Sequence, residues 1–137
     1  WNRTNSQRSA VLIQGWGAAR YNTNGMFAGM WTVADHPDAE REYAKLDARE
    51  AVAVDNAIAK LKQSGPGLPF PHSSAVKGAT KLRELRPRGG RSLTRALYRR
   101  IGDVFVIGAY GPEAQHDSKG FDRACRAAEE RLNQIEE

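Results

Sequence analysis

Between Ala48 and Gln63 the apolar residues Ala51, Val54, Ile58 and Leu61 recur at intervals of three and four, which predicts an amphipathic helix with one buried face. Asp47 is a plausible N-cap, with Glu50 three residues on as in a capping box, although that motif prefers Ser or Thr at the cap. Ser64-Gly-Pro-Gly67 stops the helix. A shorter helix is expected over Ala39–Leu46, capped by Asp35 or Asp38 with Pro37 near its first turn. Trp31–Ala34 has the composition of a short strand. The last helix is expected over Phe121–Ile135, with Phe121, Ala124, Ala128, Leu132 and Ile135 on one stripe.

Three strands are expected in between: Lys81–Pro87, Ser92–Arg100 and Asp103–Tyr110. Arg88-Gly-Gly-Arg91 is a hairpin signal between the first two. Val104-Phe-Val-Ile107 is a continuous apolar run, which suggests a strand buried on both faces. Leu68–Ser74 holds two prolines and is expected to be a loop. The order β-α-α-β-β-β-α describes an α+β fold: two helices on one face of a small antiparallel or mixed sheet, plus a C-terminal helix. The other sheet face is expected to be solvated.

Residues 1–29 differ from the rest. They run from a polar, aperiodic start through Val11-Leu-Ile13 into a Gly-, Asn- and Ala-rich stretch. The compact domain is expected over 30–137, preceded by a leader that could be disordered, an added edge strand or the product of an upstream start. The chain of 137 residues carries a net charge of +5, and the excess is local. Between Val76 and Ile101 stand nine basic residues and one acidic residue, Glu84. Such a surface is built to meet an anion, and a phosphate backbone is the leading candidate. One cysteine, Cys125, excludes an internal disulfide framework and fits a reducing cytoplasm. Its alanine-rich setting suggests packing. No apolar run approaches the roughly 20 residues of a membrane span, and no His/carboxylate spacing suggests a metal. No cofactor is expected.

Several segments together resemble the RelE/ParE toxin superfamily, and within it the HigB-like, phage Gp49-like branch. They are Ala59-Lys-Leu-Lys-Gln-Ser-Gly65, Leu68-Pro-Phe-Pro71, Val76-Lys-Gly-Ala-Thr-Lys-Leu-Arg-Glu-Leu-Arg-Pro87 and Arg95-Ala-Leu-Tyr98. The resemblance spans about residues 31–135. It implies a cytoplasmic toxin of a bacterial type II toxin–antitoxin module, neutralised by a helix-turn-helix, HigA-like antitoxin. The RelE and HigB branches cut mRNA, usually on the ribosome, so the resemblance implies an mRNA endoribonuclease. The ParE branch inhibits DNA gyrase on the same fold, and that reading stays open, as does a degenerate RNA-binding relative.

A metal-free ribonuclease must activate the 2′-hydroxyl, stabilise the phosphorane and protonate the leaving oxygen. Arginine suits the second task through its bidentate fork. Arg95 matches the arginine of the family's Arg-x-x-Tyr strand, and Arg86 that of the Glu-Leu-Arg strand. Glu84, two residues before Arg86, would share its face, either as an ion-pair partner or as a base. Tyr110 could stack on a base or hold a proton, and His116 has a pKa suited to acid–base work. Lys77, Lys81, Arg83, Arg88, Arg91, Arg99 and Arg100 are the expected RNA-binding charges. His36 and His72, beside prolines, are expected to be structural or inert. One departure counts against catalysis: many Gp49-like relatives carry two lysines just after the last strand, where this chain has Gly111-Pro-Glu113.

Overall fold

A computed structural model describes residues 30–136, and the expected leader over residues 1–29 lies outside them. The chain runs β1 (Thr32–Asp35), α1 (Pro37–Ala44), α2 (Ala48–Ser64), β2 (Ser73–Ala75), β3 (Arg83–Leu85), β4 (Thr94–Ile101), β5 (Val104–Pro112), α3 (Ser118–Glu136). The five strands form one mixed sheet in the order β1-β5-β4-β3-β2. Strand β1 is parallel to β5, and the remaining pairs are antiparallel.

Local chemistry explains the helix starts. Asp47 caps α2, its Oδ1 accepting from the Glu50 amide at 2.9 Å. The Glu50 carboxylate does not return to the cap. It accepts instead from Thr94 N at 3.2 Å and Thr94 Oγ1 at 2.7 Å, fastening α2 to β4. The cap of α1 is neither Asp35 nor Asp38. His36 takes that role, its Nδ1 accepting from Asp38 N at 3.0 Å, because Asp35 is the last residue of β1 and is buried.

The expected loop over Leu68–Ser74 ends in an edge strand, β2, in register with β3 through Ser73↔Leu85. Three residues are too few to show a period, so β2 exists through its neighbour. The strand expected over Lys81–Pro87 contracts to β3. Beyond it the chain turns through a 3₁₀ segment, Pro87–Gly90, with Arg88, Gly89 and Gly90 at φ of 56°, 63° and 98°.

Both sheet faces are covered. Helices α1 and α2 pack Ala39, Val54, Ile58 and Leu61 against Val33, Leu85, Tyr98, Phe105 and Ile107. Helix α3 packs Phe121, Ala124, Cys125, Ala128, Leu132 and Ile135 against Ala34, Leu97, Val104, Val106 and Ala109. The expected solvated face is therefore a second core. The reason lies in β5: leaving Val104 and Val106 in water would forfeit roughly 1.5–3 kcal/mol for each side chain. Glycine brings α3 close. The register passes from Leu97↔Ala109 to Tyr98↔Ile107, so Gly108 is the extra residue of a bulge. A Cβ on Gly108 would lie 2.9 Å from the Leu132 side chain, and one on Gly111 2.5 Å from Ala124 Cβ.

Candidate functional site

Strand parity assembles the central cluster. Glu84 pairs with Leu97, so its side chain lies on the α3 face, and Arg95, two residues before Leu97, shares that face. Glu84 Oε1 accepts from Arg86 Nη1 at 2.9 Å and from Arg95 Nε at 3.1 Å. One carboxylate thus bridges two guanidiniums.

Arg95 is not on an open surface. It is 2% exposed. Its Nη1 donates to the carbonyls of Ser92 at 2.6 Å and Thr94 at 3.1 Å, and its Nη2 to that of Gly90 at 3.0 Å. Its Nη2 also lies 4.0 Å from Glu113 Oε2. The exposure expected for Arg95 gives way because three carbonyls and two carboxylates supply what water would have supplied. Burial and the neighbouring Arg86 lower its pKa from the ordinary value, while Glu84 and Glu113 oppose the shift.

Arg86 is the more open member of the pair. Its Nε donates to Pro71 O at 3.0 Å, and its backbone amide donates to His72 O at 2.9 Å. Its Nη2 makes no hydrogen bond among the described residues. Its guanidinium carbon stands 5.2 Å from the ring centroid of Phe70, which is 69% exposed.

Tyr110 and His116 do not join this cluster. Tyr110 pairs with Ala96 and so points to the α1/α2 face. It is buried, its hydroxyl donating to Asp35 Oδ1 at 2.9 Å and its amide to Glu42 Oε1 at 3.1 Å. His116 is exposed in the turn after β5 and lines, with Tyr110, Thr94 and Glu42, a depression of about 340 Å³.

The outlying basic residues also divide. Lys77, Arg83, Arg91 and Arg100 are exposed, and Arg88 is half-buried in the turn. Arg99 was expected on the surface but is 5% exposed, because α3 covers it and supplies Asn133 Oδ1 at 2.7 Å and Glu136 Oε1 at 2.8 Å. Lys81 stays exposed, 3.8 Å from Glu136 Oε2. A cleft of about 460 Å³ is lined by Lys81, Arg83, Arg99, Arg100, Tyr98 and Phe105 among others, with no Asp or Glu in its lining. Arg100 also lies over the Trp31 ring at 4.8 Å.

The Gly111–Glu113 segment serves packing. Gly111 admits Ala124, and Pro112 sits against Gly120. Glu113 N donates to Leu93 O at 2.8 Å, and Glu113 O receives the amides of His116 and Asp117. Cys125 is buried, and burial pushes its thiol up to about 11, so it is a poor nucleophile.

Residues 41–107 match the family model described as "Phage derived protein Gp49-like (DUF891)". That match spans just under half of the chain, and over it the chain is similar to Gp49-like proteins. The free-state structure of a double arginine-to-alanine mutant of E. coli toxin RelE aligns with this chain at a TM-score of 0.53 and 14% identity, so the fold is RelE-like. The alignment covers 71% of this chain and 96% of that one, a likeness that speaks for the fold. No curated protein matches the sequence. The matched segment includes Glu84, Arg86 and Arg95 but ends before Tyr110, Glu113 and His116. No helix among the described residues is long and apolar enough to cross a membrane.

Two site residues carry little signal of their role in the sequence. Phe70 was present only as part of the Leu68–Pro71 loop. Its signal is a lone aromatic flanked by prolines, which keep the segment out of a helix interior or a central strand. In sequence Glu113 reads only as a missing cation, whereas its position beside Arg95 depends on β5 running antiparallel to β4.

Proposed function

We propose that this RelE-like domain is the toxin of a bacterial toxin–antitoxin module and acts on RNA as a ribosome-associated mRNA endoribonuclease. The observation that carries this reading is the Arg86–Glu84–Arg95 bridge. It holds one guanidinium, Arg86, with an unoccupied Nη2 beside an exposed ring. In this reading Arg86 meets the scissile phosphate and stabilises its developing charge. Glu84 orients Arg86, and Arg95 fixes Glu84 and the Gly90–Thr94 turn. Lys81, Arg83 and Arg100 steer the RNA backbone electrostatically. Tyr110 and His116 lie away from this cluster, so cleavage would draw on the ribosome to orient the 2′-hydroxyl. A HigA-like helix-turn-helix protein is the proposed antitoxin, and the cytoplasm the proposed compartment.

A second reading is favoured by one feature. Glu113 stands near Arg95 where relatives carry lysines, so the cluster of Arg86, Arg95, Glu84 and Glu113 is formally neutral. That suits a ParE-like gyrase inhibitor or a catalytically silent RNA binder. Induced expression with mapping of transcript 5′ ends, wild type against Arg86→Ala, separates the readings. Nuclease action predicts growth arrest with new transcript ends that vanish in the variant. Arrest with intact transcripts refutes cleavage, and gyrase inhibition would then select the ParE-like reading. Salt-sensitive RNA binding without toxicity selects the silent binder.

A further inference from the structure

The Leu68–His72 loop presents Phe70 at 69% exposure, the largest value among the exposed large hydrophobic side chains of the described residues. Exposed apolar side chains are common and need no explanation singly. This one differs in how it is held. Pro69 and Pro71 flank it and restrict the backbone. The amides of His72 and Ser73 both donate to Pro69 O, at 2.9 and 3.2 Å, closing the loop on itself. The loop is then tied to the arginine cluster through Arg86, by its Nε on Pro71 O and its amide on His72 O. The turn carrying Arg88 and Arg91 rests on the same loop: a Cβ on Gly89 would lie 3.6 Å from Pro71 Cγ. The ring is therefore fixed in water beside a set of cations.

We propose that Phe70 is a nucleobase-stacking platform, one base of a single-stranded RNA lying on its open side while Arg86 takes an adjacent phosphate. This deepens the RNA reading above and rests on it. The phenyl ring offers a flat apolar face, and every base has a π-face to match it, so the contact tolerates any sequence. Arg86 over the ring at 5.2 Å adds a cation–π contact and keeps its charge beside the stacked base. The pairing of an aromatic with arginines favours a polyanion carrying aromatic groups over a protein partner. An apolar protein contact would leave Arg86 to be desolvated.

The test uses full-length protein and two fluorescent probes of equal length, a mixed-sequence single-stranded oligoribonucleotide and its abasic counterpart. Phe70→Ala is expected to weaken the oligoribonucleotide about tenfold or more and to leave the abasic strand unchanged. Phe70→Trp is expected to restore binding. Phe70 is exposed, so both variants should melt with the wild type. Equal affinity of Phe70→Ala and wild type for the oligoribonucleotide overturns the proposal while leaving RNA binding standing. Failure of the wild type to bind either probe also overturns the platform, while the cleavage reading stands or falls separately on the transcript-end mapping. Loss of neutralisation by the antitoxin with unchanged RNA affinity would also overturn the platform and assign the ring to a protein interface.

Discussion

Arg95→Ala is expected to act on stability before it acts on chemistry. The substitution removes the donors to three carbonyls and to Glu84, all at a side chain only 3% exposed. Deleting one partner of a buried charged network costs about 3–5 kcal/mol, because the remaining groups stay desolvated and unpaired. Against a total stability of roughly 5–15 kcal/mol, that is a large share. For a domain of this size each kcal/mol moves Tm by about 3–6 °C, so a fall of at least about 10 °C is expected. Arg86→Ala is the control. Its side chain is 22% exposed, and its loss should cost about 1–2 kcal/mol at most. Urea denaturation followed by circular dichroism, for wild type and both variants, measures the difference. If Arg95→Ala retains stability within about 0.5 kcal/mol of wild type, the scaffold role is wrong and the Arg95 charge is free for substrate.

Three other outcomes are expected. Gly111→Ala should destabilise by about 1–3 kcal/mol by pressing on Ala124, and its loss should be less than additive with that of Ala124→Gly; additive losses in denaturant melts would contradict the close approach. Burial lowers the His36 pKa below its unfolded value of 6.5, so its neutral form contributes stability above pH 6.5 that is lost as pH falls toward the folded pKa, at up to about 1.4 kcal/mol per pH unit. His36→Asn keeps a cap acceptor and should flatten the dependence between pH 7 and 5.5; an unchanged slope would assign it elsewhere. Glu113→Lys restores a cation near Arg95 and should tighten oligoribonucleotide binding and steepen its log–log salt slope by about 0.7, whereas an unaltered slope places the RNA away from this corner.

Much of the fold was legible because it follows from local periodicity. The α2 face, the α3 stripe and the Asp47 cap each depend on residues within a few positions of one another. The apolar run of β5 also speaks against a solvated sheet face. A strand apolar on both faces needs two covering layers, and α3 was the one amphipathic element without a partner. The candidate site was less legible. Glu84, Arg86 and Arg95 could be named as types, but their grouping required the β3–β4 register, and the separation of Tyr110 from them required its pairing with Ala96.

The basic stretch between Val76 and Ile101 shows where the division falls. The sequence by itself determined its charge, its strand-forming pattern and the family it resembles, since these are properties of residues and their near neighbours. Tertiary structure decided which charges face water. Arg95 is enclosed by Glu84, by a turn it grips and by Glu113, and Arg99 by Glu136, 37 residues away along the chain. A guanidinium can be buried wherever carboxylates and carbonyls replace its hydration, and chain folding alone brings those groups together. The same folding left Arg86 and Phe70 side by side at the surface, which no spacing along the chain expressed.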